Sequence, residues 1–281
     1  MNGASSRRRM TEARSEWWDE FWLERGSPSD EFESWASTVW DVALDFWEER
    51  FRRLAPGNEM LECGSGSAKV SAHFRRQGYK CTMLDYSEAG LNAGRARFAA
   101  AGLAGRFVVG DVNALGFQAS RFDIVYSGGM LEFFSDIRKP IVEMVRVLRP
   151  GGVFAATMVP RKWSIQTLAD LEIAVIRSGK RLLTGRIGEA WQMVRSVPNH
   201  YGVNSAKLRE YVRACEDAGL VSVHGLGISP FPSLALPASG QIAYVRALKR
   251  WRPAWNRFDR SQSRWTEWVG SGYRVYGVKA R

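Results

Sequence analysis

The chain is poor in cysteine and histidine, with three of each in 281 residues. Cys63, Cys81 and Cys215 are odd in number and far apart, which argues against a disulfide framework and against a zinc site. Each is expected as a small core residue in a reducing cytoplasm. No apolar run reaches the ~18 residues a membrane-crossing helix needs. The stretch from Met1 to Thr11 has arginines but no apolar centre, so it does not read as a secretory signal. A triphosphate-binding loop is missing, and the G-x-G at Gly64 and Gly66 lacks the third glycine of a dinucleotide loop, with Lys69 in its place. Acid is scarce in the C-terminal half. Residues 1–56 carry 8 basic and 12 acidic side chains, 57–155 carry 12 and 9, and 156–281 carry 20 and 8. That imbalance suits an anionic partner or surface, or a solvated basic face.

What is present is organised around residues 59–71. Met60 and Leu61 begin a short apolar run that ends at Glu62; Gly64 and Gly66 follow, and a helical pattern runs from Ala68 to Gln77. Glycines allow positive φ and let a ligand approach bare backbone. An acid two residues before them would repel a pyrophosphate and favours a ligand with a cationic or hydroxylic part. Strands are expected at 80–84, 106–109, 122–126, 153–158, 220–226 and 273–280, and helices at 88–100, 137–148 and 204–218. Strands alternating with helices imply a mainly parallel sheet with right-handed crossovers and a ligand at the carboxyl ends of the strands. Asp85 closes the second strand, 23 residues after Glu62, where an acid in such a unit accepts hydrogen bonds from ribose hydroxyls.

Two regions stand outside this alternation. Residues 12–25 place Trp17, Trp18, Phe21, Trp22 and Leu23 at helical spacing, and a second aromatic helix is expected from Asp30, with Glu33 as its capping partner, to Leu54. Such stripes suit a buried face. Residues 224–245 hold no charged side chain but three prolines, and Arg246, Lys249, Arg250, Arg252, Arg257, Arg260 and Arg264 then alternate with tryptophan and phenylalanine. That pattern suits a segment resting in a membrane interface, or an insertion walling an apolar pocket.

The segment E-C-G-S-G-S-A, with Asp85 and with G-M-L-E-F at residues 129–133, resembles the motifs of class I S-adenosylmethionine-dependent methyltransferases of the small-molecule type, usually acid-x-G-x-G-x-G and G-x-L-E-H. L-R-P-G-G-V-F at 148–154 is similar to a frequent junction of that family. The resemblance implies an α/β, Rossmann-like seven-stranded sheet, mostly parallel with the last strand antiparallel and lying between the fifth and sixth. Helices cover both faces, with an N-terminal helical lid at 1–56, a core at 57–158 and 203–281 carrying an insertion at 227–272, and an inserted cap at 159–202. It implies S-adenosyl-L-methionine as cofactor and no metal. Glu62, Gly64 and Gly66 would surround the methionine part and ribose, Asp85 would take the ribose hydroxyls, and Tyr86 would pack on adenine. Asp111 and Val112 would lie at the adenine amino group and ring, and Ser127 and Gly128 beside the transferred methyl. Met130, Phe133, Trp22 and Phe231 are candidates for the acceptor side. Phe133 stands where the family has a histidine and removes that base; His200 and Tyr201, where the cap rejoins the core, are the alternative catalytic pair.

The acceptor expected is a small, partly apolar molecule, with a lipid or membrane-associated metabolite among the choices and an anionic membrane surface met through 228–268. The compartment expected is the cytoplasm, including the inner face of a membrane. An RNA methyltransferase and a non-catalytic cofactor-binding module stay open as alternatives. The first is weakened by S-G-G-M at 127–130 in place of the motif of adenine-amino enzymes.

Overall fold

The computed structural model describes residues 15–25, 35–160, 162–167, 169–171, 187–188, 203–234 and 236–281. Its centre is one seven-stranded sheet of order β3-β2-β1-β4-β5-β7-β6. The strands are β1 (Glu59–Cys63), β2 (Lys80–Asp85), β3 (Arg106–Val109), β4 (Phe122–Gly128), β5 (Leu148–Met158), β6 (Leu220–Ile228) and β7 (Gly272–Lys279). The first five pair in parallel, and β7 runs antiparallel to both β5 and β6, as the resemblance implies. The strand order reverses between β1 and β4, where a doubly wound sheet opens a crevice at its carboxyl edge.

Side-chain alternation along the strands splits the core into two layers. Leu61, Cys63, Val125, Phe154 and Ala156 face α5 (Arg138–Val147) and α6 (Leu208–Asp217). Met60, Ile124, Tyr126, Val153 and Ala155 face α2 (Trp35–Leu54), α3 (Lys69–Arg76) and α4 (Glu88–Ala100). All three cysteines are free and buried, as expected. Helix α2 buries Val42, Ala43, Phe46, Trp47 and Phe51 at three- and four-residue spacing. Its aromatic stripe is therefore part of the sheet-covering core. Ahead of it, α1 (Ser15–Arg25) packs on α4.

The segment after β6 departs from expectation. Residues 229–234 form a pinned connection: the Ser233 N–H donates to Gln166 Oε1 at 2.7 Å, and the Tyr244 hydroxyl donates to the Pro232 carbonyl at 2.7 Å. The basic-aromatic stretch is then a long helix, α7 (Ala238–Arg260), followed by α8 (Arg264–Val269). Val245, Leu248, Trp255 and Asp259 form its buried line, and Val42 of α2 meets Leu248 and Trp255. The uncharged run and its prolines masked this helical period. Helix α8 crosses the edge strand β6 at bare backbone: a Cβ on Gly227 would lie 1.9 Å from the Thr266 carbonyl oxygen. Among the described residues no helix is long and apolar enough to cross a membrane.

Candidate functional site

The turn after β1 is set by three successive left-handed positions. Gly64 and Gly66 have φ of 69° and 45°, and Ala68, which caps α3, has φ of 54°. Glycine takes such angles without steric cost, and Ala68 holds the one where the family pattern usually has a third glycine. The turn is fastened to the end of the neighbouring strand β2. Gly64 and Ser65 donate their N–H groups to the Leu84 carbonyl, and Gly66 donates to Asp85 Oδ2 at 2.6 Å. The second oxygen of Asp85 accepts from the Ser87 N–H at 2.8 Å. Asp85 is thus a positioning group for the turn, and burial holds its carboxyl above the usual range. Each carboxylate oxygen accepts more than one hydrogen bond, so lone pairs remain for a ligand.

Glu62 shares a face with Met60 and points to the α3 layer. Its Oε2 accepts from the Ser71 N–H at 2.9 Å and the Ser71 hydroxyl at 2.5 Å. These bonds satisfy an orphan donor of the first helical turn. Burial pushes the Glu62 carboxyl up to about 7 against the pull of Ser71. Asp111 caps the short turn Val112–Ala114, accepting from the Asn113 N–H at 2.8 Å; Val112 is buried behind it, and Tyr86 stands exposed at the end of β2.

Met130, Phe133 and Trp22 come together at the same crevice. A Cβ on Gly64 would lie 2.9 Å from Met130 Cβ and Sδ, and one on Gly66 would lie 2.2 Å from Trp22 Cζ2. Trp18 meets Phe133 edge to ring at 5.0 Å. Asp19 anchors α1 by accepting from the Ser87 hydroxyl at 2.6 Å and the Ala89 N–H at 3.0 Å, at the amino end of α4. Phe231 is placed elsewhere: it stacks on Trp251 and packs against Trp255 of α7. His200 and Tyr201 lie outside the described residues.

One group here went unrecognised in the sequence. Glu132 is buried, its Oε1 accepts from the Val159 N–H at 3.2 Å, and its Oε2 has no hydrogen-bond partner among the described residues. Its backbone carbonyl accepts from Val203 and Asn204, the residues that re-enter the core after the cap region. Burial raises its carboxyl to about 7. The signal was present in G-M-L-E-F, where attention fell on the residue after the acid. A carboxyl lifted from 4.5 in the free chain to about 7 contributes stability that is complete below about 4.5 and lost as pH rises through 7. Glu132→Gln is therefore expected to flatten the decline of unfolding free energy between about pH 5 and 8, gaining about 1–2 kcal/mol at the alkaline end. Urea titrations across that range check this; a variant with the wild-type slope would show that Glu132 ionises as an exposed acid does.

The cleft also fits the cofactor implied by the motifs. Two further buried oxygens lack partners among the described residues, Ser65 Oγ in the turn and Ser127 Oγ at the end of β4. Unpartnered buried hydroxyls are rare and ask for a donor or acceptor from outside the chain. They flank a bare-backbone cradle and two buried acids, a donor set suited to an amino acid and a ribose.

Comparison with known proteins agrees with this geometry. Residues 61–156 match the family model described as a methyltransferase domain. A malonyl-[acyl-carrier protein] O-methyltransferase of Enterobacter lignolyticus is 32% identical over 70% of this chain and 64% of its own length. A demethylmenaquinone methyltransferase of Corynebacterium glutamicum is 33% identical over 38% of this chain and 45% of its own length. The chain thus spans less than two thirds of these curated relatives. Among solved structures, geranyl diphosphate methyltransferase in complex with GPP and sinefungin shares the fold, with a TM-score of 0.54 and 16% identity over 85% of this chain and 78% of that one. Residues 61–156, which carry the glycine turn, Asp85, Asp111 and the 127–133 loop, are a methyltransferase domain.

Proposed function

We infer that the protein transfers a methyl group from S-adenosylmethionine to a small acceptor with an apolar part. The observation that carries this reading is the convergence of the unpartnered Ser65 and Ser127 hydroxyls, the Gly64–Gly66 cradle and the Asp85 and Glu62 carboxyls at the switch point of the sheet. The bound sulfonium would supply a methyl group already activated for displacement. What this chain adds is placement and exclusion of water. Asp85 and Glu62 would hold the ribose and methionine parts, with Asp111 and Val112 at the adenine. Ser127 and Gly128 would stand beside the reacting carbon.

An apolar acceptor is supported by the ring of Trp18, Trp22, Met130 and Phe133 around the crevice. It also accords with the relatives, whose names give an acyl group on a carrier protein and a demethylmenaquinone as acceptors. Helix α1 would act as a lid, with Asp19 as its latch on α4. His200 and Tyr201 remain the proposed catalytic pair, and Glu132 joins them as a buried carboxyl whose pKa lies near the working pH of a general base.

Incubation of the protein with methyl-labelled S-adenosylmethionine and an extract of its source organism, partitioned between solvent and water, tests this. Label in the organic phase is expected. Label only in a nuclease-sensitive aqueous fraction would replace the small acceptor by RNA, and no label despite measured cofactor binding would overturn the catalytic reading.

A further inference from the structure

The sequence suggested membrane contact through 228–268, an uncharged loop followed by a basic and aromatic stretch. The structure pins the loop and narrows the exposed rings and cations to the second part together with Trp163, outside that range. Trp265 and Trp268 on α8 are 75% and 74% exposed and Trp163 is 71% exposed, whereas Trp47 and Trp255 are fully buried. Trp265 and Trp268 are three residues apart, so they share one helix face. Lys162 Nζ donates to the Glu267 carbonyl at 2.6 Å, which brings Trp163 alongside α8. The mount is rigid, because Thr266, between the two exposed rings, is buried against the bare backbone of Gly227.

Charge accompanies the rings. Arg246, Arg250 and Arg257 are exposed along α7, and Arg264 is exposed where α8 begins. The one acid between residues 246 and 264, Asp259, is buried, where it accepts from the Ser229 N–H and faces Arg274. Glu267, half-buried, is the one acid on α8.

We propose that α8 and Trp163, with the exposed cationic face of α7, form a docking surface for an anionic lipid membrane. Indole rings gain by entering the headgroup layer, where their apolar bodies leave water and their N–H groups keep polar partners. Arginines beside them are attracted by anionic headgroups, each adding to binding within a Debye length. A short helix with projecting tryptophans suits shallow insertion of this kind. The proposal does not depend on the identity of the acceptor or on methyl transfer.

Co-sedimentation of the full chain with phosphatidylcholine vesicles, with and without phosphatidylglycerol, is the test. Binding to the mixed vesicles and not to phosphatidylcholine alone is expected, weakened by added salt. The double variant Trp265→Ser/Trp268→Ser is expected to lose on the order of tenfold in partitioning, with unchanged thermal melting and unchanged affinity for S-adenosylhomocysteine. A charge variant, Arg250→Glu/Arg257→Glu, should abolish the dependence on phosphatidylglycerol. Failure to bind mixed vesicles, or undiminished binding by the tryptophan variant, would overturn the proposal. So would displacement from the vesicles by single-stranded RNA that binds more tightly through the same tryptophans, or a dimer that the tryptophan variant dissolves.

Discussion

Asp85→Ala is expected to lower affinity for S-adenosylhomocysteine by roughly 100-fold or more, as read by isothermal titration calorimetry. About 2.7 kcal/mol corresponds to that factor, and one to two hydrogen bonds to a charged group supply it. The loss has two sources. The carboxylate would no longer accept from the ribose, and the Gly66 and Ser87 N–H groups it now holds would be released. Because the second source also loosens the glycine turn, the variant should melt earlier, by the cost of two buried donors left unpaired, about 1–3 kcal/mol each. Wild-type affinity in a destabilised variant would mean that Asp85 serves the turn alone. Unchanged affinity and stability together would remove the nucleoside site from this end of β2.

A large effect on stability is also expected away from the crevice, at Asp259. Arg274 lies in the middle of β7 and is fully buried between α2 and α7, with its guanidinium 4.0 Å from the ring centroid of Phe46 and 3.6 Å from Asp259 Oδ2. Its Nε and Nη1 have no hydrogen-bond partner. Burial outweighs the pull of Arg274 and holds Asp259 at about 6, so it is ionised at neutral pH, while burial lowers Arg274 against the support of the Asp259 charge. Asp259→Ala leaves a buried cation with no counter-charge, a change that costs about 3–5 kcal/mol. Replacing both, Asp259→Ala with Arg274→Met, should cost less than the single change, because the uncompensated charge goes too. Denaturant unfolding of the three variants measures this coupling. A single-variant loss below about 1 kcal/mol would show that water reaches Arg274 in solution.

Arg274 also ties α2 to these C-terminal elements, through the rings of Phe46 and Trp47. Helix α2 meets α7 through Val42, Leu248 and Trp255, and Arg252 pairs with Asp45 across the same junction. Damage at Asp259 is expected to spread to cofactor binding more weakly than damage at Asp85, since no contact of Asp259 involves the glycine turn.

Local chemistry made the crevice legible before any coordinates. The G-x-G turn follows a strand because glycine alone takes its angles freely, and Glu62 and Asp85 stand where the strands end. The alternation of short apolar runs with helical patterns likewise implied a mainly parallel sheet, since parallel neighbours need crossovers, and the place of the last strand came from the family resemblance. Those features depend on neighbours close in the chain. The fate of 228–268 did not: the prolines and lack of charge before residue 246 resemble a free loop, and only the facing line of α2 shows that Val245, Leu248 and Trp255 are the buried side of a helix. For the same reason Phe231, read as an acceptor-side residue, belongs to that junction.

The sequence by itself determined the glycine turn, the two acids beside it, the alternation of strands and helices and the uneven charge, because each rests on backbone geometry or on residues within one βα unit. Tertiary structure alone decided that Trp22 covers Gly66, that Glu132 keeps an oxygen without a partner among the described residues, and that Lys162 reaches the Glu267 carbonyl between Trp265 and Trp268. Each of those depends on pairs far apart in the chain, and pairings at that separation leave no local pattern to read.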